Sequence, residues 1–413
     1  MNDEAEGGRR LSTREAAGLL GVKPATVYAY VSRGQLTSRR DAVGRGSTFD
    51  AREVEALARR SRREAAAHTP AGEPSVRTSL TLIEPDRYYF RGVDAVELAS
   101  RYGYEEVAEF LWTGTLVRGA RFTAPPGPLA AARRVVAALP EHSGPIDMLR
   151  VATAAAAVAD PLRFDLSGEA VLGSARCLIP TLVGALPTAG TGHRGTGPIA
   201  WRLWRRLTAR EPDEASLGAL DLALALLIDH DLAASTLAVR VAASARAHPY
   251  AAVSAGLGAL EGPLHGVAGR LAHRTLTEAL ERGGAAPVVA DHLRAGRRIP
   301  GLGHRLYRGE DPRATALFAR LEALPHAAPA LAAAREVVAT TASRQPGLHA
   351  NVDLALAVLT VSCGMPAEAG ETVFAVARTA GWIAHALEEY QERPLRMRPS
   401  GHYDGPRPPR PVP

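Results

Sequence analysis

Residues 215–228 read Ala-Ser-Leu-Gly-Ala-Leu-Asp-Leu-Ala-Leu-Ala-Leu-Leu-Ile. Apolar side chains fall on nearly every side of a 3.6-residue turn, so the stretch predicts a helix buried all round. A helix of that kind needs other helices to cover it. Leu354–Cys363 and Glu368–Leu387 read the same way, with Gly364-Met365-Pro366 breaking the chain between them. From Val93 onward the pattern is helical almost to the end. Thr78–Tyr89 alternates enough for a short strand or hairpin. Val117–Pro140, rich in Pro and Ala, predicts a surface excursion with one helix. The body of the chain is therefore expected to be all-α.

Composition sets the bounds. With 413 residues the chain has room for two or three domains. Aromatics make up only 5%, so Ala, Leu and Val must pack the core. Two cysteines, Cys177 and Cys363, cannot make a zinc site alone, and their scarcity suits a reducing cytoplasm. The acidic N-terminus has no apolar stretch behind it, which excludes a signal peptide there. No apolar run is long enough to span a membrane. The tail from Pro394 to Pro413 holds seven prolines and four arginines and is expected to be extended.

Residues 10–64 form a separate small unit. Ser12-Thr13-Arg14-Glu15 offers a capping box that starts a helix ending near Gly21. Pro24 suits the first turn of a second helix, Pro24–Ser32, with Val27 and Val31 facing inward. Arg39-Arg40-Asp41-Ala42-Val43-Gly44-Arg45-Gly46 reads as a basic hairpin loop, and Asp50-Ala51-Arg52-Glu53 repeats the capping logic. Residues 1–68 carry 13 Lys/Arg against 9 Asp/Glu, +4 of the chain's +6. Two short helices around a turn, followed by a hairpin, describe a winged helix-turn-helix. The segment Leu11–Val31 resembles the MerR/excisionase-type DNA-binding domain. That resemblance implies that Ala25, Thr26, Tyr28 and Arg33 approach the groove and that Arg39, Arg40 and Arg45 meet phosphates. A helical protein-interaction module is the alternative. Residues 65–77 read as a linker.

The chemistry is carried by separated breaks between apolar helices. Asp229-His230-Asp231 ends the first helix quoted. Pro263-Leu264-His265-Gly266, Pro300-Gly301-Leu302-Gly303-His304 and Asn351-Val352-Asp353 place further ionisable groups beside glycine or at a helix start. Two histidines and a carboxylate suit proton abstraction beside a carbonyl, one group taking the proton and the others holding the oxygens. Asp353, near a helix N-terminus, is expected to be kept ionised by the helix dipole. A structural N-cap is the alternative. Arg313 and Arg378 are cations in apolar surroundings, fit either to pair with internal acids or to hold a di- or tricarboxylic ligand. No HExxH or CxxC spacing supports a metal site, and Gly301-Leu302-Gly303 is no dinucleotide fingerprint.

Segments 89–99, 229–244, 258–266, 300–314, 351–353 and 374–385, in this order, resemble citrate synthase over about residues 78–405. The resemblance implies a large helical domain at 78–225 and 340–413 and a smaller one at 226–339 that closes over CoA. It implies that Asp353 takes a methyl proton from acetyl-CoA, that His265 bonds the thioester oxygen, and that His304 polarises the ketone of oxaloacetate. His230, Arg313 and Arg378 would hold carboxylates. Gly301, Leu302 and Arg308 would lie along CoA. A further arginine, Arg398 or its rival Arg393, would reach the partner subunit's site in a homodimer. No metal or redox cofactor is implied, acetyl-CoA being a substrate. Asp231, Ala233, Gly269, Leu354-Ala355 and Ser400 depart from the family pattern. The small residues after Asp353 suggest room for propionyl-CoA, giving 2-methylcitrate. The basic head suggests a second possibility, a transcription regulator that uses the body as a metabolite sensor.

Overall fold

A computed structural model describes residues 10–20, 22–32, 35–40, 47–55, 57, 76–190, 197–262, 265–399 and 404–405. The chain separates into two compact units, residues 1–77 and 78–413.

In the first unit β1 (Arg10–Ser12) leads into α1 (Thr13–Leu20), α2 (Pro24–Ser32), β2 (Ser38–Arg40) and β3 (Ser47–Asp50), and a helical turn starts at Ala51. The capping box forms as the sequence demands. Ser12 N donates to Glu15 Oε2 at 2.8 Å, and Glu15 N donates to Ser12 Oγ at 3.3 Å. The strands make one antiparallel sheet in the order β1-β3-β2, with Leu11 opposite Phe49 and Arg39 opposite Thr48. Leu11, Ala16, Val27, Leu36, Phe49 and Val54 fill its core. The second capping motif forms only in part. Asp50 accepts from Arg52 N at 2.8 Å, but Glu53 accepts from Thr37 N at 2.9 Å instead of reaching back. That contact ties the helical turn to the entry of β2, a gain that a local box would not supply.

Tyr28 is exposed on α2, its hydroxyl 3.2 Å from Thr13 Oγ1 and its ring edge-on to Phe49. Thr26 is half-buried and Arg39 is exposed. Arg33 and Arg45 lie outside the described residues, as do the side chains of Ala25 and Arg40 and most of the 65–77 linker.

The second unit opens with a small antiparallel sheet, β4 (Thr81–Ile83), β5 (Tyr88–Phe90) and β6 (Val93–Asp94), in the hairpin position the alternation predicts. Helices follow. Glu214–Leu227 is the central one, started by Asp213, whose carboxylate accepts from Ser216 N. Its residues Leu222–Leu227 are at most 4% exposed. Helices Tyr104–Thr113, Ile199–Leu207, Pro312–Glu322 and the long Ala369–Gln391 cover it. Its buried acid, Asp221, serves a neighbour: Oδ1 accepts from Tyr104 N at 3.2 Å, at the start of Tyr104–Thr113. Burial pushes that carboxyl up to about 6. The 117–140 excursion holds the single helix Pro126–Ala137.

With few aromatics available, the helices pack through small residues. Gly381, in the long helix, lies against the end of the central helix so closely that a Cβ there would sit 2.1 Å from Ile228 O. Among the described residues no helix is long and apolar enough to cross a membrane.

Candidate active site

The break after the central helix, the start of helix Val267–Glu281, the 300–306 turn, the start of helix Val352–Ser362 and the long helix converge on one cleft. It measures about 410 Å³ and is lined by His230, His265, His304, Arg313, Asp353 and Arg378 among others. Residues up to 148 apart in sequence thus share one space.

The loop is fixed to the helix by Asn351. Its N–H donates to Gly301 O at 2.9 Å, its Nδ2 to Gly303 O at 2.8 Å, and its Oδ1 caps Asp353 N at 3.0 Å. Asn351 is therefore the N-cap, and Asp353 keeps its carboxylate for the cleft. Gly301 has φ +80, and a Cβ there would approach Leu354 Cβ to 2.8 Å, so only glycine lets the turn sit on the helix.

The electrostatics of Asp353 differ from the sequence expectation. Burial outweighs the helix terminus and the nearby Arg313, and raises the carboxyl to about 6. The group is a stronger base than an ordinary aspartate and remains mostly ionised at neutral pH.

Arg313 takes the internal pairing and still faces the cleft. It is 3% exposed and bidentate to Asp311, Nε to Oδ1 at 2.9 Å and Nη2 to Oδ2 at 2.7 Å, while still lining the cleft. Burial would lower the Asp311 and Arg313 charges, but each holds the other ionised. Arg378 donates Nε to Leu227 O at 2.9 Å, and its guanidinium lies 4.6 Å over the Phe374 ring. Burial brings it down to about 10 against the pull of Asp229.

The three cleft histidines, His230, His265 and His304, are neutral at pH 7. Burial lowers His265 and His304 to about 4, helped by Arg378 and Arg313 respectively, and holds His230 well below its ordinary range. A neutral imidazole donates from one nitrogen and accepts at the other. Leu306 N–H donates to His304 Nδ1 at 3.1 Å, which places the His304 proton on Nε2. That nitrogen lies 3.2 Å from Arg313 Nη2. Two donors at this spacing cannot satisfy each other, so an oxygen lying beside both would complete them. Ser235 Oγ is 2.7 Å from His265 Nε2, leaving Nδ1 as that ring's other nitrogen.

Behind the cleft runs a buried polar chain. Thr81 Oγ1 donates to Asp229 Oδ2 at 2.5 Å, Asp229 Oδ1 meets His385 Nε2 at 3.2 Å, and His385 Nδ1 meets Arg240 Nη1 at 2.8 Å. Arg240 Nε and Arg396 Nη2 donate to Glu389 Oε2 at 3.2 and 2.6 Å.

Other expected residues lie elsewhere. Gly301 is buried under Leu354, Leu302 packs half-buried on the core, and Arg308 is exposed outside the cleft lining. Arg393 and Arg398 are exposed after the long helix, and Ser400 is outside the described residues. Leu354 and Ala355 are at most 1% exposed and do not line the cleft, so they supply no room beside the base. Gly269 does. A Cβ there would lie 3.7 Å from Asp353 Oδ1. Ser235, Tyr307, Asp311 and Asn351 support the site without having been assigned a role from sequence. Asp311, two residues before Arg313, carried the clearest available signal. Among the described residues no group of three or more His, Cys, Asp or Glu could hold a metal ion.

A family model described as citrate synthase, C-terminal domain, matches residues 69–400, and a helix-turn-helix domain model matches residues 10–62. The citrate synthase of Haloferax volcanii is 32% identical over 353 residues, covering 79% of this chain and 93% of that protein. The crystal structure of citrate synthase from Thermotoga maritima MSB8 superposes with a TM-score of 0.66 at 27% identity, over 83% of this chain and 96% of that one. That from Pyrobaculum aerophilum gives 0.68 at 26%, over 82% and 92%.

Proposed function

The chain belongs to the citrate synthase family, and on that premise we propose that it condenses acetyl-CoA with oxaloacetate and water to give citrate and CoA. Asp353 takes a proton from the acetyl methyl group. His265 donates Nδ1–H to the thioester oxygen as the enol forms. The enol carbon attacks the ketone of oxaloacetate, whose oxygen accepts from His304 Nε2–H, and water then releases CoA from the citryl thioester. Arg313, Arg378 and His230 hold the carboxylates. Proton transfer and charge stabilisation account for every step, so no metal or redox cofactor is called for.

The observation that carries the reading is the pair of donors from His304 and Arg313, 3.2 Å apart in the cleft shared with Asp353. An oxygen-rich acceptor facing both would receive from each. The test is thiol release from acetyl-CoA in the presence of oxaloacetate by the full chain; no turnover with either acetyl-CoA or propionyl-CoA would refute the enzyme. The space over Gly269 favours a second reading, 2-methylcitrate formation, and the ratio of kcat/KM for the two thioesters decides between them.

Arg398, or Arg393, reaches the partner's site in a homodimer under this reading. The unpaired thiols Cys177 and Cys363 suit the cytoplasm. The helix-turn-helix unit binds DNA through Tyr28, Thr26 and the Arg39-bearing hairpin, and two heads on one dimer would suit a palindrome. Genomic fragments bound equally well by the full chain and by a form lacking residues 1–68 would remove that role.

A further inference from the structure

Tyr307 follows His304 by three residues yet makes its polar contact with the other side of the cleft. Its hydroxyl is 2.8 Å from His230 Nε2, and both side chains are nearly closed to solvent, at 3% and 6%. The Tyr307 ring lies 5.0 Å from the His304 ring and 5.4 Å from that of His230, and the two imidazoles are 5.2 Å apart. Tyr88, the fourth ring of the group, gives its hydroxyl to Leu226 O at 3.1 Å and is not available to either histidine.

A neutral imidazole has one donor and one acceptor nitrogen. The phenol stays protonated, since burial holds it well above its ordinary range, and it can donate to Nε2. That places the His230 proton on Nδ1. A carboxylate needs an N–H from His230, and a donor held at Nε2 favours the tautomer that keeps it on Nδ1.

We propose that Tyr307 is a positioning residue: its hydroxyl fixes the tautomer and orientation of His230 and ties it to the His304 turn, so that both histidines meet the keto acid in one geometry. This rests on the reading of the cleft as an oxaloacetate site. Tyr307 does not line the cleft and acts through His230.

The test is Tyr307→Phe in the full chain, which keeps the ring stack and removes one hydrogen bond. Oxaloacetate binding by calorimetry, KM for each substrate and the melting temperature are measured beside the wild type. The expected result is oxaloacetate binding weaker by about five- to tenfold, the worth of one such bond, with a matching rise in its KM. The KM for acyl-CoA and the melting temperature stay unchanged. Equal oxaloacetate affinity in variant and wild type, where the wild type binds and turns over, overturns the role of Tyr307 alone. A lower melting temperature with both KM values raised together overturns it in favour of a packing role. A wild type that binds no oxaloacetate overturns the functional reading and this inference with it.

Discussion

Replacing Asp353 with Asn should destroy activity and at the same time make the protein more stable. The carboxyl is raised from 3.8 to about 6 by burial. That displacement corresponds to ~3 kcal/mol of free energy that the folded state loses by keeping the group ionised. Solvent reaching the cleft reduces the figure, so a gain of about 1–3 kcal/mol is expected at pH 7.5. The sign follows from proton uptake. Between pH 3.8 and about 6 the folded chain holds a proton that the unfolded chain has released, so wild-type stability falls as pH rises through this window. Above it the penalty is constant; below it the penalty vanishes. Asparagine, which does not titrate, escapes it. The cap is unaffected because Asn351 Oδ1 bonds the backbone N–H of residue 353. Paired thermal melts from pH 4.5 to 7.5 should show the variant's advantage growing to about 1–4 °C, while kcat falls by about 10²–10⁴. The wild-type acid limb of kcat/KM should have an apparent pKa of about 6. An advantage that does not change with pH, or substantial residual turnover, would show that Asp353 is neither the base nor strained by burial.

Arg378→Lys should raise the KM for oxaloacetate about 100-fold, since a lysine cannot form the fork that a carboxylate accepts, and should leave the KM for acyl-CoA unchanged in steady-state assays. Ser235→Ala removes the partner 2.7 Å from His265 Nε2 and should lower kcat about tenfold with both KM values nearly constant. Glu389→Gln removes the fully buried carboxylate that receives Arg240 and Arg396, and should cost about 2–4 kcal/mol in a denaturant titration without altering KM.

The parts of the fold legible in sequence were those with strong local signals. The all-round apolar helix, the Ser12–Glu15 capping box and the breaks at Gly364-Met365-Pro366 all stand where periodicity and turn chemistry put them. His230, His265, His304, Arg313, Asp353 and Arg378 were legible because each interrupts an apolar pattern, and they share one cleft. Their partners were not. Ser235 and Tyr307 are ordinary residues in their own segments and gain meaning only through contacts across 30 and 77 residues. Asp353 is ionised at neutral pH as expected, but its raised carboxyl was not legible, because a helix terminus is a local property whereas desolvation depends on everything packed around it. The wall beside the base was misplaced for a related reason. Leu354 and Ala355 are neighbours of Asp353 in the chain but turn into the core, while Gly269, far upstream, borders it in space.

Gly381 sits one helical turn from Arg378, and its missing side chain is what allows the long helix to rest on Ile228 O, next to Asp229 and His230. The separation between Arg378 and His230, both in the cleft lining, is thus gauged by an absent methyl group. Size selection for the acceptor need not reside in any residue that touches it. Gly381→Ala would act as a shim, pushing the two elements apart while substituting no residue that lines the cleft. Chains of this family that accept bulkier keto acids could be sought, or made, at a position with no view of the ligand.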